Sequence, residues 1–132
     1  MIRILLADDY TIIRKGVRQI LTQAYPQAVF GEIEDGEEWM EKLSVVNWDM
    51  VILDLHMPDG GGLDTLQRMR QSFPELPVLI LTLYPREYYA LRAMKAGAAG
   101  YIEKDADPAE LITAVGRILS GKKYTGLPGI EN

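Results

Sequence analysis

Five short apolar runs, each ending near a polar or acidic residue and each followed by a longer segment of helical period, recur between Ile2 and Ser120. That alternation is the pattern of βαβ units. A strand covered by helices on both faces reads as an unbroken apolar run, and its crossover helix carries one apolar stripe. The expected fold is therefore α/β, a doubly wound five-stranded parallel sheet flanked by five helices. At 132 residues the chain fits one domain, and a fold of this size buries roughly two-thirds of the surface its unfolded chain exposes.

Ile2 to Ala7 reads as the first strand, and the segment after Asp9 sets Ile13, Val17, Ile20, Leu21 and Ala24 on one helical face that stops before Pro26. Ala28 to Ile33 supplies a weaker second strand, and Glu38 to Leu43 a short helix. Asp49 to Asp54 is apolar enough for a central strand buried on both faces. Met57-Pro58-Asp59-Gly60-Gly61-Gly62 is a turn-rich loop, more consistent with a loop than a phosphate cradle because no P-loop lysine pattern follows. Leu63 to Phe73 is a helix turning Leu63, Leu66 and Met69 inward, and Pro77 to Thr82 is the fourth strand. Arg86 to Ala96 is a helix closed by Gly97, and Gly100 to Ile102 a short fifth strand. Asp107-Pro108-Ala109-Glu110 has the form of a helix start, with Asp as cap and Pro at the first position, and the helix runs to about Ser120. Beyond it the chain is aperiodic and rich in turn residues.

In an open parallel sheet, ligands bind at the carboxyl ends of the strands, where the strand order reverses. Asp8 and Asp9 end the first strand, Asp54 the third and Thr82 the fourth, and Lys104 follows the fifth. Each has an ordinary explanation alone: a helix cap, a turn former, a strand-end hydroxyl, a solvated charge. Their coincidence at one end of the sheet weakens those explanations. Carboxylates a few ångströms apart repel by roughly 4 kcal/mol per pair at about 4 Å and an effective dielectric of about 20, so the cluster calls for a counter-ion. With no cysteine and one histidine in the chain, all-oxygen ligands point to magnesium rather than a softer metal. No twelve-residue EF-type calcium pattern is present.

These residues resemble the receiver domains of two-component response regulators, over about Ile2 to Ser120. The resemblance rests on the acidic pair, the aspartate after strand three, the Thr after strand four and the Lys after strand five. Ala7-Asp8-Asp9-Tyr10-Thr11-Ile12-Ile13-Arg14-Lys15-Gly16 and Ala96-Gly97-Ala98-Ala99-Gly100-Tyr101-Ile102-Glu103-Lys104-Asp105 are further similar to the NarL/FixJ subgroup, whose members usually continue into a LuxR-type helix-turn-helix. The resemblance implies a flavodoxin-like receiver fold over 1–120, with 121–132 a linker towards an output domain that this chain lacks. It implies that Asp54 accepts a phosphoryl group from a sensor histidine kinase. Asp9, Asp54 and the backbone carbonyl of His56 would hold Mg2+ directly, with Asp8 acting through water. Thr82 and Lys104 would bind phosphoryl oxygens. Thr82 and Tyr101 would be the switch residues, the alternative for Tyr101 being a half-buried edge tyrosine. The switch would act on a partner or homodimer surface, and DNA would be bound only through the output domain.

Three features depart from the commonest family pattern. Leu83 is bulky where a small residue is frequent, Lys104 is followed by Asp105 rather than proline, and the His56 side chain and Tyr84 flank the pocket, so His56, Leu83 and Tyr84 are expected to tune access and hydrolysis. Other function classes fit less well. A phosphatase would need a general acid two residues beyond the nucleophile, where Asp54-Leu55-His56 has none, and a cap domain. A flavin binder would not place Asp-Asp after its first strand. A receiver that signals without phosphate is less expected with an intact acidic pocket. The net charge of −5, with cations scattered among acids, gives no basic patch for nucleic acid. Two carboxylates follow the first apolar run too early for a signal peptide, and no run approaches a membrane span, so a cytoplasmic protein is expected.

Overall fold

The computed structural model describes residues 1–34, 38–55 and 62–127. Its elements alternate in the expected way: β1 (Arg3–Ala7), α1 (Thr11–Ala24), β2 (Val29–Ile33), α2 (Trp39–Val45), β3 (Met50–Leu53), α3 (Leu63–Ser72), β4 (Val78–Thr82), α4 (Arg86–Lys95), β5 (Gly100–Glu103) and α5 (Pro108–Leu119). The five strands are parallel in the order β2-β1-β3-β4-β5. The order reverses between β1 and β3. That is where the crossover helices part to opposite faces and a crevice opens at the strands' carboxyl ends.

Alternate residues of each central strand feed two separate apolar layers. Leu5, Val51, Leu53, Val78, Ile80 and Tyr101 meet Trp39 and Leu43 of α2, Leu66 and Met69 of α3, and Ala90 and Ala93 of α4. Ile4, Leu6, Ile52, Leu79, Leu81 and Ile102 meet Val17 and Leu21 of α1 and Leu111, Ala114, Val115 and Ile118 of α5. Every residue of β3 and β4 is buried, whereas β2, at the edge, buries only Ile33 fully. This explains why the second strand has the weaker apolar signal.

The structure corrects several local expectations. Ala24 is exposed, because Tyr25 just beyond the helix end packs on the α1–α5 layer instead. Leu63 is only partly buried, while Thr65 joins Leu66 and Met69 inside. Asp107 stands at the N-cap of α5, with Pro108 opening the helix, but its side chain makes no capping hydrogen bond. Tyr101 is fully buried, which sets aside the alternative of a half-buried edge tyrosine. Gly97 does close α4: its φ of 110° lets the chain reverse so that Ala98 N–H reaches Ala93 O at 3.0 Å. The 122–127 segment, aperiodic in sequence, runs along β5, with a parallel bridge between Gly100 and Tyr124.

Candidate metal and phosphoryl site

Strand register brings the acidic residues together. Ala7 is paired with Leu53, and Asp54 N–H donates to Ala7 O at 2.9 Å, so Asp8 and Asp54 leave adjacent strands side by side. Asp8, Asp9 and Asp54 each offer a carboxylate oxygen, and these oxygens lie within 4.8 Å of one another. Asp8 and Asp54 are buried at 5% and 1% exposure.

Lys104 enters from the end of β5. Its backbone N–H donates to Thr82 O at 2.7 Å, and its side chain, 4% exposed, sets Nζ 3.0 Å from both Asp8 Oδ2 and Asp54 Oδ2. The contact with Asp54 is a hydrogen bond, whereas that with Asp8 Oδ2 is an ion pair off hydrogen-bond alignment. Burial pushes the Asp8 carboxyl above its ordinary range, against the opposing pull of the Tyr10 N–H and of Lys104. Burial would lower the Lys104 ammonium, yet its hydrogen bond to Asp54 and its ion pair with Asp8 outweigh that and hold it above the usual range.

The residues present fit a divalent cation. Lys104 neutralises one of three formal carboxylate charges, leaving two for an ion to match. Asp9 Oδ1 is buried with no hydrogen-bond partner among the described residues, the condition in which an acceptor gains most from a ligand. An all-carboxylate set suits a hard ion of the magnesium type. Recess size is no guide here: a cleft of about 480 Å³ between Arg70, Gly97 and Lys122 lies at the opposite end of the strands.

Thr82 is fully buried, and its Oγ1 accepts from Tyr84 N–H at 3.4 Å. The Tyr101 hydroxyl donates to Tyr84 O at 2.8 Å, and burial pushes its phenol pKa up. Leu83 is 64% exposed, on the solvent side of the loop, and the Tyr84 ring stacks 4.5 Å from Tyr89. His56 and Met57–Gly61 lie outside the described residues, so neither the carbonyl ligand, the side-chain role nor most of the glycine loop has a placement to report.

Three participants were missed in the sequence. Tyr10 lays its ring 5.2 Å from Lys104 Nζ, a cation–π contact that screens the ammonium from one side. Arg14, 4% exposed, donates to the Asp8 carbonyl and to Glu32 at 2.6 Å, Glu34 at 3.1 Å and Thr11 at 3.1 Å. Its place beside apolar Ile13 and Val17 was the available signal, since a cation next to a buried stripe must find acceptors. Arg86 pairs with Glu103 and Glu110, each at 2.9 Å, and a contact so distant in sequence leaves no local trace.

Comparison with known proteins bears on the family and the fold. Residues 4–116 match the response regulator receiver domain family. The chain is 33% identical over 124 residues to the response regulator GacA of Pseudomonas viridiflava, covering 94% of this chain and 58% of that protein. It is 34% identical to the response regulator UvrY of Escherichia coli K12, covering 94% and 57%. It therefore spans little more than half the length of these relatives. Among solved structures it is similar to a LuxR-family two-component response regulator from Aurantimonas sp. SI85-9A1, with a TM-score of 0.84, 36% identity, and 92% and 87% of the two chains covered. It is also similar to the isolated receiver domain of RcsB from Salmonella enterica serovar Typhimurium in the presence of phosphomimetic BeF3−, with a TM-score of 0.86, 27% identity, and 94% and 92% covered. Among the described residues no helix is long and apolar enough to cross a membrane. Both the sequence match and the shared fold support one assignment: the chain belongs to the response regulator receiver domain family, whose members act as signalling switches.

Proposed function

We propose that Asp54 is the phosphoacceptor of this receiver and that its phosphorylation, rather than turnover of a substrate, is the signal. The observation that carries the reading is the meeting of Asp8, Asp9 and Asp54 at the carboxyl ends of β1 and β3 with Lys104 against Asp54. An Asp54 carboxylate oxygen attacks phosphorus of a phosphohistidine on a sensor histidine kinase. The P–N bond breaks, the imidazole takes up a proton, and an aspartyl phosphate remains. Asp9 and Asp54, with Asp8 through water and the His56 carbonyl, would hold Mg2+, whose charge makes attack of one anion on another feasible. Lys104 then transfers its ammonium contact to a phosphoryl oxygen, and the Thr82 hydroxyl donates to another. His56, Leu83 and Tyr84 set access to the phosphoryl group.

The switch residues are Thr82 and Tyr101. Drawing Thr82 inward moves the loop whose Tyr84 carbonyl holds the Tyr101 hydroxyl, which remodels a partner or homodimer surface. The reading assigns residues 1–120 to the receiver and 121–132 to a linker towards an output domain, through which that surface would govern DNA binding in the cytoplasm. One solved relative is an assembly of two RcsB dimers bound to two parallel DNAs, which supports the output reading by analogy.

Acetyl phosphate with Mg2+, followed by intact mass, tests the reading. The expected result is a gain of one phosphoryl group that requires Mg2+ and is lost in Asp54→Asn. An unmodified wild-type chain, or a gain that survives Asp54→Asn, overturns it.

A further inference from the structure

The chain does not leave the domain after α5. Lys122 N–H turns back to Arg117 O at 2.9 Å, and Tyr124 then lies along the outer edge of β5. Its N–H donates to Ala99 O at 3.0 Å and its carbonyl accepts from Tyr101 N–H at 2.9 Å. Since β5 ends the sheet, this segment satisfies an edge that would otherwise be open to pairing with another chain.

Side chains fasten the same segment to α4 and α5. The Tyr124 hydroxyl donates to Glu110 Oε2 at 2.8 Å, the atom that Arg86 Nη1 also reaches at 2.9 Å. Arg86 Nε holds Glu103, the last residue of β5, at 2.9 Å. Thr125 is 1% exposed, and Leu127 packs on the layer containing Ala90 and Tyr101. Gly126 has a φ of 70° and lies so close to Arg86 that a β-carbon there would overlap the guanidinium.

Two routes join this fastening to the site. Arg86 opens α4 directly after Leu83, Tyr84 and Pro85, the loop that follows Thr82. Tyr101 is bonded to that loop through its hydroxyl and to the C-terminal segment through its backbone N–H. A displacement of Thr82 therefore reaches residues 122–127 both through Arg86 and through Tyr101.

Resting on the receiver reading, we propose that the outer edge of β5, with the first turns of α4 and α5, is a docking groove for the chain's own segment 122–127, and that phosphorylation of Asp54 loosens its occupant. Hydrogen bonds weaken steeply when their geometry is lost, so a loop shift of about 1 Å at Arg86 is enough to break the shared contact at Glu110. The segment is the route out of the domain, so its release changes how anything attached beyond it is held. Coupling must also run backwards: whatever detaches the segment favours the phosphorylated state by the same factor.

The test uses the full chain with Mg2+ and beryllofluoride as the phosphoryl mimic, following amide exchange at Tyr101 and Tyr124 by NMR. Binding is expected to speed exchange at both amides by about fivefold or more, the lower end of typical coupling. Gly126→Ala, which the positive φ of that position strains and which displaces the Arg86 guanidinium, and the gentler Tyr124→Phe are each expected to raise beryllofluoride affinity. Binding without faster exchange, or wild-type affinity in both variants, overturns the proposal while leaving the receiver reading intact. If neither beryllofluoride nor acetyl phosphate engages Asp54, the receiver reading fails and takes this one with it. Light scattering that shows a dimer held by exchanged segments would overturn the choice of the chain's own segment as occupant.

Discussion

Lys104 reaches across the end of β4 to set its ammonium 3.0 Å from Asp54 Oδ2, so the terminal strand of the sheet and its central strand are joined by one buried ion pair. The same nitrogen stands 3.0 Å from Asp8 Oδ2. One lysine thus holds two strand ends that would otherwise repel, and under the proposed function it is the contact that phosphorylation redirects.

Removal of that charge sets up the first prediction. Lys104→Met leaves Asp8 and Asp54 buried without their cation, and breaking one side of a buried pair costs about 3–5 kcal/mol. Urea unfolding in chelator should show a loss of that order, and Mg2+ should recover part of it by supplying charge to the same carboxylates. Equal losses with and without Mg2+ would show that the carboxylates and the ion do not share a site.

The Arg86 cluster gives a pH signature away from the acidic pocket. Burial alone would raise the Glu110 carboxyl, but hydrogen bonds from Arg86 and Tyr124 pull it below its ordinary range. A group with a depressed folded pKa contributes stability that is present above its unfolded pKa and is lost as pH falls through the folded value. Wild-type stability should therefore drop on acidification below the ordinary glutamate range, and Glu110→Gln should be less stable at neutral pH with a shallower acid loss. Parallel pH profiles for the two proteins would contradict the assignment.

A control far from the chemistry comes from Gly31. A β-carbon there would collide with the Trp48 ring and lie 3.0 Å from Leu5 Cδ1, and overpacking of this kind costs about 1–3 kcal/mol. Gly31→Ala should lower stability in that range and shift Trp48 fluorescence, while acetyl phosphate still modifies the protein. A variant of unchanged stability would mean that Trp48 moves aside freely.

The contrast between Asp54 and Arg86 shows what was legible in the sequence. The fold was readable because β3 and β4 are buried on both faces, and burial of that kind leaves an unbroken apolar run. Asp8, Asp54, Thr82 and Lys104 were readable because strand ends in a parallel sheet converge whatever the loops do. Arg86, Glu110 and Tyr124 were not. Arg86 and Glu110 lie on different helices, and Tyr124 sits in a Gly-containing segment without periodicity, whose own pattern specifies its register only weakly. Arg14 was missed for a different reason: a cation on a helix reads as solvated, and only its place beside the apolar stripe of Ile13 and Val17 marks it otherwise.

Arg14 also carries the last prediction. Its guanidinium is buried in α1, yet it donates to the carbonyl of Asp8, to Thr11 and to Glu32 and Glu34 at the end of β2. It therefore ties the loop bearing Asp8 and Asp9 to the neighbouring strand without touching the reacting atoms. Lysine keeps the charge but lacks the planar fork that spans several acceptors at once. Arg14→Lys should lose stability by about 1–3 kcal/mol, the cost of leaving the buried Asp8 carbonyl unsatisfied. Because the tether holds the acidic loop, Mg2+ affinity measured by titration calorimetry on the folded variant should fall as well. Arg14→Met, which removes the charge altogether, should weaken both more. A folded Arg14→Lys protein that binds Mg2+ as tightly as wild type would reduce Arg14 to a packing residue, since lost stability alone does not distinguish a tether for the acidic loop from a link between α1 and β2.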